Sequence, residues 1–210
     1  MARLNDLYEA VISFKEEEAK KLVEKYIDEG KAPEDILLSL QEGLIEIGNR
    51  FERDECFTPE LMYGAEIVRT SIEPLKPLLK GKTMATKGKV VVGTVYGDIH
   101  NIGKDLVKLL LEGDGFEVVD LGENVDPAKF VEAIKSDGAK LVGLSALLTM
   151  SFEAITNAVK AINDAGLKDK VKIMVGGAPV TELVREKSGA DFYGKDAFSA
   201  VKYAREVYGY

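Results

Sequence analysis

The chain has 210 residues, 46% of them hydrophobic, with a formal net charge of −8, one cysteine and one histidine. That length allows one large or two small domains; the acidic balance argues against binding a nucleic-acid phosphate backbone; and a lone Cys56 excludes an internal disulfide and a cysteine-built metal cage. No run approaches the roughly 20 apolar residues that span a bilayer, and the start, acidic by Asp6, has no signal-peptide apolar region, so a non-membrane protein of the reducing cytoplasm is expected.

Residues 1–80 are expected to form a domain of four short helices. Asn5 or Asp6 can cap the first, which carries Leu7, Val11, Ile12 and Phe14. The second runs over 15–29 with Ala19, Leu22, Val23, Tyr26 and Ile27 at helical spacing, and Gly30 ends it. Pro33 suits the first turn of the third, whose apolar stripe runs from Ile36 to Phe51. Thr58-Pro59-Glu60 is a cap signal for the fourth, which holds Met62, Ala65, Ile67, Val68 and Ile72 until Pro74 and Pro77 bend or end it. Brief connections between such helices suggest a small bundle.

Residues 80–89 lack hydrophobic period, and 81–88 are expected to be the linker to a second domain, 89–210. There the pattern alternates. Strands are expected at 90–94, 117–120, 141–145, 171–175 and 191–193, and helices at 103–112, 127–136, 152–165, 181–187 and 197–208. A fivefold βα repeat predicts an α/β fold with a five-stranded parallel sheet and right-handed crossovers, in the flavodoxin-like order 2-1-3-4-5. The switch point of that order lies between the first and third strands. Asp98 and His100 follow the first strand, and Ser145, Thr149 and Ser151 follow the third, so two polar loops flank the crevice where such sheets bind ligands.

The ligand can be narrowed from the residues. A receiver domain would need an aspartate ending the third strand, where this chain has Leu144-Ser145; a flavodoxin would need a hydroxyl-rich phosphate loop in place of Gly97-Asp98-Ile99-His100. Neither a Walker A loop nor Gly-x-Gly-x-x-Gly is present. A zinc site needs three or four ligands, and one histidine with a distant cysteine supplies too few. One histidine can still hold a metal whose other ligands come from a macrocycle, and Asp98 is spaced to take its second N–H.

The stretch Asp98-Ile99-His100-Asn101-Ile102-Gly103 resembles the Asp-x-His-x-x-Gly motif of the cobalamin-binding family, which includes cobalamin-dependent methionine synthase and the corrinoid proteins of methyltransferase systems. The resemblance implies cobalamin or a related corrinoid bound base-off and His-on, with His100 as the lower axial ligand of cobalt and Gly97, Asp98, Ile99, Asn101, Ile102 and Gly103 around it. Gly143 to Ser151 is similar to the family's Gly-Leu-Ser-x-Leu-x-Thr-x-Ser signature. By that resemblance Ser145 and Thr149 line the pocket for the nucleotide tail, Leu147 lies beside them, and Ser151 hydrogen-bonds Asp98 so that Asp98, His100 and Ser151 act as a relay. Gly176-Gly177-Ala178 matches the paired glycines that let backbone approach the tail, and Tyr193 with Asp196-Ala197 looks like the last signature.

Phe51 to Met62 is similar to the helical cap over the corrin's upper face, with Phe51 and Met62 as contacts, and Thr58 departs from the family's leucine. With bundle and cobalamin domain spanning the sequence, the chain resembles the stand-alone corrinoid proteins of methanogens and acetogens. The resemblance implies a methyl carrier that is not a complete enzyme alone. Its implied partners are a substrate-specific methyltransferase, a second methyltransferase acting on tetrahydrofolate or coenzyme M, and a reductive activation protein. The bundle is expected to be a movable lid. A cobalamin-sensing or storage module and a detached mutase subunit are the alternative readings.

Overall fold

The computed structural model describes residues 3–79 and 86–210; residues 80–85, most of the expected linker, lie outside the described residues. The chain divides into two compact units, the division falling between residues 85 and 86, with Glu112–Gly115 grouped with the first.

The first unit is built from α1 (Asn5–Ile12), α2 (Glu16–Asp28), α3 (Pro33–Glu52), α4 (Thr58–Ile72), a 3-10 turn at Glu73–Leu75 and the short α5 (Lys76–Leu79). Leu7, Val11, Val23, Ile36, Leu40, Ile47, Leu61 and Ile67 bury its apolar stripes. Two caps differ from expectation. Leu4, not Asn5 or Asp6, holds the cap position of α1. Its N–H is taken at 2.8 Å by the buried Ser39 hydroxyl, which donates in turn to Asp35 O, so a distant helix supplies the cap. Asp6 instead accepts from Leu7 N. Thr58 is already helical; Phe57 caps α4, and Glu60 Oε2 accepts its N–H at 2.7 Å, leaving the threonine no capping duty. Phe14, expected on the first helix, lies beyond it with φ 58°. Pro74 and Pro77, which cannot donate to a helix ladder, coincide with the change to the 3-10 turn and α5.

The second unit alternates β1 (Lys89–Thr94), α6 (Ile102–Gly113), β2 (Glu117–Asp120), α7 (Pro127–Asp137), β3 (Leu141–Ser145), α8 (Phe152–Asp164), β4 (Lys172–Gly176), α9 (Glu182–Ser188), β5 (Phe192–Gly194) and α10 (Ala197–Tyr208). A 3-10 turn, Thr149–Ser151, precedes α8. The sheet is parallel in the order β2-β1-β3-β4-β5. β1, β3 and β4 read as near-continuous apolar runs because both faces are covered. The core under α7 and α8 joins Val91, Val142, Leu144, Phe130, Ile155 and Val159. β1 and β3 are neighbours in register, Thr94 opposite Ser145, so the loops that leave them start side by side.

Candidate functional site

After Thr94 the chain turns through Gly97 at φ +80°, a region that favours glycine, and Asp98 N returns to Val95 O at 3.1 Å. This folds Asp98 inward. Its side chain is 0% exposed, and four donors converge on it. Oδ1 accepts from His100 N at 3.0 Å and from His100 Nδ1 at 2.8 Å. Oδ2 accepts from Leu147 N at 2.7 Å and Leu148 N at 3.1 Å. Burial alone would raise the Asp98 pKa, but the bonds from His100 N, Leu147 N, the His100 ring and Leu148 N outweigh it and hold the carboxyl down at about 2. Asp98 is therefore ionised at neutral pH and accepts the Nδ1–H of His100. In a neutral imidazole that bond places the proton on Nδ1 and the lone pair on Nε2. The buried Thr94 hydroxyl adds a bond to His100 O at 3.2 Å.

The two loops that meet at Asp98 expose large apolar side chains: Tyr96, Ile99, Leu147, Ile102 at 80% and Met150 at 82%. Such exposure in one neighbourhood marks a surface for an apolar ligand. Beside it a cleft of about 230 Å³ opens among the carboxyl ends of β1, β3, β4 and β5, with α6 and α10 as walls. Its lining is mainly apolar and includes Gly103, Ser145, Gly176, Gly177, Tyr193 and Ala197. Gly177, at φ +127°, is required there: a Cβ would stand 1.9 Å from Ala146 O, so only glycine lets the β4 loop close against the β3 loop. Ala178 and Asp196 also line the cleft, and Asp196 caps α10 through Ser199 N at 2.7 Å.

The structure thus brings Gly97, Asp98, His100 and Leu147 into one hydrogen-bonded group, with Ile99, Asn101, Ile102 and Gly103 on the same connection. Two expected residues stand apart from this group. Ser151 is buried, but its hydroxyl is not among the donors to Asp98; the backbone of Leu147 and Leu148 fills Oδ2 instead. Thr149 is exposed at the start of the 3-10 turn and does not line the cleft, because the chain has already left the sheet edge there. Phe51, half-buried near the end of α3, and Met62, 40% exposed on α4, belong to the helical unit.

Lys104, with its partner Asp120, and Asn124 are contributors that no motif announces. Lys104 lines the cleft and is only 5% exposed; its Nζ donates to both Asp120 carboxylate oxygens at 2.8 Å and to Asp105 Oδ1 at 2.6 Å. Asn124, at φ 52°, accepts Gly97 N on Oδ1 at 2.7 Å and donates its own N–H to Asp98 O at 2.9 Å. A lysine in the first turn of a helix, at the positive end of the dipole, is the one sequence signal that could have flagged Lys104.

Among the described residues no three His, Cys, Asp or Glu groups gather to hold a metal. A metal taken by Nε2 of His100 would need its remaining ligands from a prosthetic group. A planar group of that kind fits the apolar loops, and a slender appendage fits the glycine-walled cleft.

The chain matches a B12 binding domain over residues 88–202 and a second type of B12 binding domain over residues 3–76. It is 39% identical to the dimethylamine corrinoid protein of Methanosarcina barkeri, over 97% of this chain and 96% of that one. It is 38% identical to trimethylamine corrinoid protein 1 of Methanosarcina acetivorans, over 95% and 94%. Among solved structures, a cobalamin-binding protein from Desulfitobacterium hafniense superposes with a TM-score of 0.83 at 32% identity, covering 97% of this chain and 98% of that one. The methanol:cobalamin methyltransferase complex MtaBC of Methanosarcina barkeri gives 0.85 at 27% identity, covering 97% of this chain and 78% of its matching chain. No helix among the described residues is long and apolar enough to cross a membrane.

Proposed function

The chain belongs to the B12 binding domain family, and on that premise we propose that it is a corrinoid protein that carries a methyl group from a substrate-specific methyltransferase to a second methyltransferase. The observation that carries this is the Asp98–His100 pair: a buried, ionised carboxylate orients an imidazole whose Nε2 is left free beside exposed apolar loops and a glycine-walled cleft. The methylamine corrinoid relatives support a methylated amine as the methyl donor, and the methyltransferase complex among the structural neighbours supports a methyltransferase partner. The acceptor chemistry is that of tetrahydrofolate or coenzyme M, with a reductive activation protein to restore the cofactor. The lone buried cysteine suits action in a reducing cytoplasm.

When bound, the corrinoid supplies the cobalt that takes and gives up the methyl group. His100 Nε2 would be the protein's ligand to that cobalt, the base-off and His-on mode of this proposal. Asp98 keeps the Nδ1 proton in place, so any change in ligand strength is set by a network that the backbone of Leu147 and Leu148 completes. The exposed Ile99, Ile102 and Met150 would cover the macrocycle and keep water from it. Gly103, Ser145, Gly176 and Gly177 line the cleft that would take the nucleotide tail, and Gly177, lacking Cβ, lets the β4 loop close against Ala146 to form that wall. The protein isolated with its corrinoid should show histidine nitrogen coupling in the cobalt(II) electron paramagnetic resonance spectrum, and His100→Ala should abolish it. Unchanged coupling in that variant would refute the ligand assignment. Failure to accept methyl groups from any methylamine methyltransferase would refute the donor class.

A further inference from the structure

The connection from β2 to α7 grips the His100 loop at both ends, and no motif in the sequence assigns that connection a role. At the near end, Asn124 occupies the left-handed region at φ 52°, which asparagine tolerates better than most residues. Its side-chain oxygen takes Gly97 N at 2.7 Å and its N–H bonds Asp98 O at 2.9 Å. These two bonds hold the residues on either side of the Gly97–Asp98 peptide. At the far end, Asp120 closes β2 and also accepts Gly122 N at 2.9 Å, which shapes the same connection. Its two oxygens take Lys104, the residue immediately after Gly103, at 2.8 Å each, and Lys108 approaches at 3.3 Å.

A lysine is poorly placed in the first turn of a helix, and more so when its side chain is only 4% exposed. Burying that charge is tolerable only with its partners in place. All three of its N–H groups are taken by Asp105 and Asp120, which leaves it no donor to offer a ligand. The geometry is therefore that of a fixing point for α6, not of an anion site.

Resting on the reading of His100 as the cobalt ligand, we infer that Asn124 and the Lys104–Asp120 pair are positioning residues, setting where the His100 ring stands relative to the cleft. The chain from Gly97 to Lys104 has no regular structure before Ile102. Its aim is fixed by tethers: Asp98 to the β3 loop, Thr94 to His100 O, and these two grips from the β2 side.

The test uses the corrinoid-loaded full chain and reads the cobalt(II) spectrum and corrinoid affinity, with circular dichroism of each variant. Asn124→Gly keeps access to the left-handed region and removes only the side-chain acceptor; Asn124→Asp restores an acceptor oxygen. Lys104→Met with Asp120→Leu removes the buried pair without stranding a charge. Each disruption should loosen the corrinoid by about tenfold or more, as for loss of other outer supports of a metal ligand, and should add a cobalt(II) fraction without histidine coupling. Asn124→Asp should return both readouts toward the parent. Parent-like affinity and coupling in Asn124→Gly and in the pair variant would overturn the inference while leaving His100 as ligand. Loss of helical circular dichroism in a variant would overturn it for that end, since the residue would then hold the fold and not the loop. No coupling in the parent would overturn the ligand reading and this inference with it.

Discussion

Asp98→Asn tests the centre of the site. The wild-type carboxyl is held at about 2 against 3.8 for an unperturbed aspartate. At about 1.36 kcal/mol per unit, the folded state favours the ionised form by about 2 kcal/mol. Asparagine loses that charge and must also turn its amide NH₂ toward one pair of donors, either His100 N and Nδ1 or the N–H groups of Leu147 and Leu148. Each donor left without an acceptor costs roughly 1–3 kcal/mol, partly relieved by local adjustment. The corrinoid-free variant should therefore unfold in urea with a stability about 3 kcal/mol below wild type at pH 7. The pH dependence has a definite sign. Because the folded value lies below the unfolded one, the contribution is fully present above the unfolded pKa and is lost as pH falls toward 2. The gap between wild type and variant should thus narrow by about 1 kcal/mol between pH 7 and pH 3. A variant within 0.5 kcal/mol of wild type (about the range of a neutral surface change), or a gap that does not move with pH, would refute the four-donor account of Asp98.

Gly177→Ala forces a left-handed backbone and a Cβ against Ala146 O; thermal unfolding should show a loss of about 3 kcal/mol or more, and a melting temperature near wild type would show that the two loops can part freely. Gly103→Ala meets nothing within 4 Å, so it should leave stability unchanged or raised by up to about 1 kcal/mol while its methyl crowds the cleft and weakens corrinoid binding by roughly tenfold; equal affinity in titration would place the cofactor's tail elsewhere. Ser151→Ala should cost less than about 1 kcal/mol and leave the cobalt(II) spectrum as in wild type, since its hydroxyl does not bond Asp98; a changed spectrum would restore the serine to the relay.

Much of the second unit is legible in the sequence because the βα alternation, the apolar strand runs and the turn glycines agree at every level. Strands expected at 117–120 and 141–145 are found at those bounds, and those at 171–175 and 191–193 shift by one residue. The Asp98–His100 pairing is equally local, two residues apart on one loop, so spacing alone announces it. The cap of α1 is not legible locally because the choice among Leu4, Asn5 and Asp6 is made by Ser39, on another helix, and propensity carries no information about that partner.

What the sequence by itself determined is whatever depends on near neighbours: the element types, the parallel order they imply, and a lone histidine with its carboxylate at a strand's carboxyl end. What only the tertiary structure decided is which groups complete that carboxylate and what steadies the loop. Leu147 and Leu148 reach Asp98 through their N–H groups, and every residue except proline has an N–H, so no residue type marks them. Ser151, which sequence likeness favours, is buried nearby without bonding Asp98. Lys104 meets Asp120 across 16 positions, and Asn124 meets Gly97 across 27. Separations of that length become contacts only when β1 and β2 pair in register, because hydrogen bonds act over about 3 Å of space and not along the chain.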